Sequence, residues 1–109
     1  MKYRVQRATG AVAVDMTIAP GVAWQLESIR VHLDAPGAAT NLTATVVADA
    51  STAAGEYDVV IATQDMNGVT DYVYKPNYPI PFGPDDELVI VYANGGGATY
   101  GIEVYYQGV

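Results

Sequence analysis

Residues 11–33, AVAVDMTIAPGVAWQLESIRVHL, hold two extended segments, the turn between them and a change of register. In the first segment Val12, Val14, Met16 and Ile18 alternate with Ala11, Ala13, Asp15 and Thr17, the period of two that puts one set of side chains on each face of a strand. Ala19-Pro20-Gly21 ends it, because proline supplies no ladder donor and glycine accepts turn dihedrals. In Ala23–Leu33, Trp24 and Leu26 share one parity while Ile29, Val31 and Leu33 share the other. One extra residue near Glu27-Ser28, a β-bulge, brings both sets to the same face.

The same period extends in both directions, with no helical stripe. Strands are predicted at Lys2–Arg7, Ala11–Ile18, Ala23–Leu33, Leu42–Ala48, Tyr57–Thr63, Asp71–Lys75, Glu87–Ala93 and Thr99–Gln107, separated by Gly, Pro, Asn and Asp clusters. Asp49–Glu56 (DASTAAGE) reads as a loop. Pro76–Pro84 (PNYPIPFGP) carries four prolines and must cross between sheets or run along an edge. Glu87–Ala93 and Thr99–Gln107 read as a hairpin around Asn94-Gly95-Gly96-Gly97, residues that tolerate positive φ.

The expected fold is all-β: one antiparallel β-sandwich domain over residues 1–109, jelly-roll-like, with about eight strands. The first, eighth, third and sixth strands would form one sheet, and the second, seventh, fourth and fifth the other. An immunoglobulin-like topology is the nearest competitor. The expected core is Val12, Val14, Met16, Trp24, Leu26, Val31, Leu33, Leu42, Val46, Val59, Ile61, Leu88, Ile90, Ile102 and Val104. A chain of 109 residues removes roughly 65% of its unfolded surface from water, so no covalent staple is needed.

With no cysteine, a disulfide framework, a thiolate metal site and cysteine catalysis are excluded. Residues 1–10 alternate polar and apolar side chains, unlike an export signal, and no apolar run approaches a membrane span. Five Lys and Arg against twelve Asp and Glu give a net charge of −7, which argues against a nucleic-acid partner. Lys2, Arg4, Arg7 and Arg30 precede residue 35, whereas Lys75 alone faces nine acids after it. Residues 1–7 are thus a basic leading segment. They are expected either as an N-terminal arm against an acidic neighbour, with Lys2 and Arg4 on the charged side and Tyr3 and Val5 on the packing side, or as an edge strand of the same sandwich.

The catalytic inventory is thin. His32 is the single histidine, and Ser28 and Ser51 are the only serines. Ser28 and His32 fall on one predicted strand with no nucleophile-elbow pattern, so no triad is expected and His32 reads as a solvent-facing or neighbour-satisfied strand residue. A lone histidine does not suit zinc, and Asp85-Asp86-Glu87 lacks the glycine-punctuated ladder calcium loops use, so it reads as an acidic turn. No catalytic, cofactor or metal residue is assigned.

Nine tyrosines stand against one Phe. Tyr72, Tyr74, Tyr78, Tyr105 and Tyr106 suit strand filling, subunit contacts or sugar stacking alike, since each offers a flat apolar ring with a polar tip. Several strands are apolar on both parities: Val89 and Val91 oppose Leu88 and Ile90, Val47 opposes Val46, and Val60 lies between Val59 and Ile61. An outer sheet face that is apolar calls for a cover, which self-association supplies.

Three segments carry a family resemblance: Ala23–Leu33 (AWQLESIRVHL), Ile61–Pro81 (IATQDMNGVTDYVYKPNYPIP) and Asp85–Val104 (DDELVIVYANGGGATYGIEV). Their Trp-x-Leu-x-Ser-hydrophobic strand, Thr-Asp-aromatic run leading to prolines, Asp-Glu-Leu strand and closing Thr-Tyr-Gly resemble a family of small tailed-bacteriophage virion proteins. The resemblance covers roughly residues 22–105. The chain departs from the pattern at Gly83-Pro84-Asp85, where an apolar-x-Ala-Gly-Asp turn is expected, and in its Gly-rich loop at 94–98. What it implies is a non-enzymatic virion structural protein, a capsid decoration or head-surface protein assembled in the host cytoplasm. Its partners would be further copies of itself and the phage capsid or another virion protein, with neither nucleic acid nor membrane involved. A tail or adaptor subunit is a close variant, and a carbohydrate-binding host-adhesion module is the alternative. The candidate subunit or capsid interface is Lys2, Arg4, Val89, Val91 and Tyr105.

Overall fold

The computed structural model describes residues 3–108. It contains nine strands: β1 (Tyr3–Gly10), β2 (Val14–Ile18), β3 (Trp24–Leu33), β4 (Asn41–Val47), β5 (Val59–Asp65), β6 (Asp71–Tyr74), β7 (Ile80–Phe82), β8 (Glu87–Tyr92) and β9 (Tyr100–Gly108). One antiparallel sheet runs β1-β9-β3-β6, with β7 also paired to β3, and the other runs β2-β8-β4-β5. This is the predicted jelly-roll order, with β7 as the added strand.

The bulge lies where the parity change places it: the β3–β9 register shifts between Leu26 and Ser28, so Glu27 is the extra residue and Trp24, Leu26, Ile29, Val31 and Leu33 all turn inward. The free side of β3 is shared, β6 pairing with Ile29–His32 and β7 with Trp24–Leu26. β7 places Pro81 opposite Gln25 at a sheet edge, where a missing N–H costs no ladder bond. Phe82 stacks on Trp24 with ring centroids 4.0 Å apart, and Tyr106 meets the indole edge-on at 5.2 Å.

Several boundaries and assignments differ from those expected. β1 continues to Gly10, because its partner β9 offers acceptors as far as Tyr100, and Thr9 Oγ1 also donates to the Tyr100 carbonyl at 2.8 Å. Val12 therefore falls in the β1–β2 connection and is 74% exposed, not core. Val59 opens an edge strand and is also exposed, while Val46 and Ile61 are half-buried against the core. The core additionally takes in Ile18, Ile29, Ala44 and Ala62 within strands, Met66 and Ala98 in connections, and Phe82, Tyr92 and Tyr100 at strand ends.

β8 and β9 are not hairpin partners. β8 pairs with β2 and β4, and β9 with β1 and β3, so Asn94–Gly97 carries the chain from one sheet to the other. Asn94 and Gly97 do adopt positive φ, 53° and 66°. Asn94 is buried, and its Nδ2 donates to the carbonyls of Val12 (3.0 Å) and Ala98 (2.9 Å), locking the corner. Opposite, Asp86 closes the acidic turn by accepting from the amides of Gly83 (2.8 Å) and Asp49 (2.9 Å), which also anchors the 49–56 connector.

Candidate functional site

Each sheet buries one face, so the surfaces open to partners are the two outer faces, read directly from register. On the second sheet, Asp15, Val91, Thr43 and Thr63 form one row across β2-β8-β4-β5, Thr17, Val89, Thr45 and Val60 form the next, and Glu87 faces Val47 in a third. Residues paired directly across strands share a face, so this surface is a plane of β-branched side chains. Val91 is 45% and Val60 55% exposed, while Val89, Thr43, Thr45 and Val47 are half-buried by one another. None of these four strands contains a Lys or Arg, and the carboxylates Asp15, Asp65 and Glu87 stand toward the margins.

The outer face of the first sheet is different. Its rows are Thr9-Gly101-His32-Asp71, Arg7-Glu103-Arg30-Val73, and Val5-Tyr105-Ser28. Arg7 Nε donates to Glu103 Oε2 at 2.7 Å, and the Arg30 guanidinium lies over the Tyr105 ring, 4.3 Å from its centroid. Hydrogen bonding to Arg7, and then its charge, holds the Glu103 carboxyl below the usual range. Nδ1 of His32 meets Asp71 Oδ1 at 2.7 Å, and Asp71 is likewise held low by its hydrogen bonds from His32 and Thr70. His32 is thus both solvent-facing and paired. Ser28 stands four residues away on the same extended strand, about 13 Å along it, too far for a proton relay.

Among the described residues, two depressions lie on this face. One, of about 380 Å³, lies over Gly101 between Arg7, Thr9, His32 and Glu103; the other, of about 250 Å³, lies between Tyr3, Ser28, Arg30, Lys75 and Tyr105.

The five candidate interface residues therefore do not form one surface. Val89 and Val91 lie on the outer face of the second sheet and Tyr105 on that of the first, while Lys2 lies outside the described residues. Arg4 pairs with Tyr106 at the inward parity of β1. From Tyr3 onward the N-terminal segment is an edge strand of this sandwich, and the expected parity is reversed: Tyr3 and Val5 face outward, while Arg4, Gln6, Ala8 and Gly10 take the inward side. Polar residues fit there because the edge is open. Gln6 reaches across the gap, its Nε2 donating to the Thr17 carbonyl at 3.0 Å. The tyrosines divide too: Tyr72, Tyr74 and Tyr106 lie against the core, Tyr105 faces outward, and Tyr78 is 82% exposed.

Sequence reading singled out neither Gly101 nor the Arg7–Glu103 pair. Both become visible only once β1 is set beside β9, which brings together Arg7 and Glu103, 96 residues apart in sequence.

No family model matches the chain, and no curated protein matches it. Among solved structures it is similar to the Drosophila NLP core, whose structure is described as giving insight into pentamer formation and histone binding. The identity is 12%, covering 94% of this chain and 96% of that one, with a TM-score of 0.43.

Proposed function

We propose that this chain is a non-enzymatic structural protein of a tailed-phage particle, a capsid decoration or head-surface protein that self-associates and needs no cofactor. The observation that carries the reading is the Val and Thr outer face of β2-β8-β4-β5, a sheet surface without a single cation in its strands. The resemblance of residues 22–105 supplies the phage context.

The size of that face says what kind of contact it suits. Three rows across the apolar strands cover roughly 250–300 Å² in plan, from strand spacing and rise. A stable isolated dimer buries about 800 Å² per partner, so this face alone gives a weak contact. Weak contacts suit a subunit held at many points in a lattice, where each engagement raises the effective concentration for the next.

The test is co-sedimentation with emptied tailed-phage heads. The wild-type chain is expected in the pellet, and V89D/V91D, which sets two unpaired charges in the contact, in the supernatant. V89T/V91T keeps β-branched shape and fold while removing two methyl groups, and is expected to bind at an intermediate level. Wild-type protein that stays in the supernatant sinks the proposal.

A further inference from the structure

The depression over Gly101 lies on the opposite side of the sandwich from the Val and Thr face, so it is open when that face is covered. β9 is an interior strand, flanked by β1 and β3, and glycine is a poor choice there because it weakens the strand and packs nothing. Neither usual reason for a glycine applies: Gly101 has no positive φ, and a Cβ built on it meets no atom within 4 Å. The missing side chain leaves a notch with an open floor of backbone, facing outward.

The rim has balanced chemistry. Arg7 is engaged through Nε, Glu103 through Oε2 and His32 through Nδ1. The Arg7 Nη groups, Glu103 Oε1 and His32 Nε2 make no hydrogen bond among the described residues, so donors and acceptors stand together around the notch. An anion entering it meets the Glu103 carboxylate, and a cation meets the Arg7 guanidinium. The occupant that suits it is neutral, carries both donors and acceptors, and has a flat apolar face to lay on the floor. The volume of about 380 Å³ falls at the lower end of the range for small-molecule sites and has room for more than one ring.

We propose that the notch over Gly101 is a carbohydrate subsite, in which a neutral pyranose lies on the backbone of Gly101 while Arg7, Glu103 and His32 hydrogen-bond its hydroxyls. The inference is independent of the assembly reading, since it uses the other face and predicts binding by the monomer.

The experiment is a titration of ¹⁵N-labelled protein with cellobiose, maltose, lactose and N,N′-diacetylchitobiose, each to about 20 mM, a range matched to a shallow site with millimolar affinity. At least one sugar is expected to move the amides of Thr9, His32, Gly101 and Glu103 in a saturable way. Gly101→Val fills the notch with a good strand former, and is expected to keep or raise the melting temperature while lowering affinity more than tenfold. Arg7→Gln keeps the fold and is expected to weaken binding severalfold. The proposal is overturned if none of the four sugars moves these amides, if G101V binds as well as wild type, or if sodium acetate produces the same shifts.

Discussion

Gly37→Ala places a methyl group where the structure has no room for one. A Cβ at this position would overlap the Met66 carbonyl oxygen and lie 2.9 Å from Tyr92 Oη and 3.1 Å from Leu33 Cδ1. The first contact cannot be relieved cheaply. Met66 is fully buried, and its carbonyl already accepts from the Val69 amide at 3.0 Å. The β3–β4 connection must therefore move away from the β5–β6 connection, stretching the bonds from Gly37 N to Val69 O and from Gly68 N to Gly37 O, both 3.0 Å. The bond from Ala38 N to Tyr92 Oη, at 3.2 Å, is strained with them. Three hydrogen bonds at about 0.5–1.5 kcal/mol each give a loss of about 2–4 kcal/mol, in line with the usual cost of overpacking. For a chain of this size that lowers the melting temperature by about 10–20 °C. Circular dichroism melts at one fixed protein concentration measure it, since association would otherwise shift the midpoint. Gly95→Ala, whose Cβ would come no nearer than 3.9 Å to Ala38, is the control and is expected to melt close to wild type. A G37A protein that melts within about 3 °C of wild type refutes the close approach on which the calculation rests.

Asn94→Ala removes both hydrogen bonds that lock the β8–β9 corner and places alanine at a φ of 53°, for an expected loss of about 2–3 kcal/mol by urea denaturation. Asn94→Gly relieves the backbone but not the hydrogen bonds, and is expected to recover only part of it. Glu103 and Asp71 both have carboxyls held below the usual range, so their pairing contributes stability that is present above the unfolded carboxylate pKa near 4. It is lost as pH falls through their depressed folded values. Arg7→Gln is expected to move the Glu103 midpoint back up toward the ordinary value in a carboxyl ¹³C titration while leaving Asp71 unchanged.

Much of the architecture is written locally. The alternation in residues 14–18, 24–33, 88–92 and 100–106 sets which side chains face the core, and the parity change at Glu27 marks the bulge before any partner strand is known. Val12 and Val59 lie outside the core although the alternation runs through them, because alternation continues past the point where a strand leaves the core, and only the length of the neighbouring strand says where that is. β7 hides among prolines that usually argue against a strand, and it survives because three residues at a sheet edge need few donors. The Asn-Gly-Gly-Gly run signals a reversal, but local sequence does not say whether the reversal stays within a sheet or changes sheets. Of the candidate interface, Val89 and Val91 could be read as an outward pair because they alternate with buried Leu88 and Ile90. The Gly101 notch could not, since its walls come from three strands spread across the chain.

The assembly reading is tested most directly by sedimentation velocity on the wild-type chain and on V89D/V91D, over a concentration series reaching about 500 µM, where contacts of this size become populated. For wild type the weight-average mass is expected to rise above the 11.5 kDa monomer with concentration, and for the variant to stay at the monomer value, with both giving the same circular dichroism spectrum. A wild-type chain that remains monomeric throughout, or a variant that associates as readily as wild type, would contradict it.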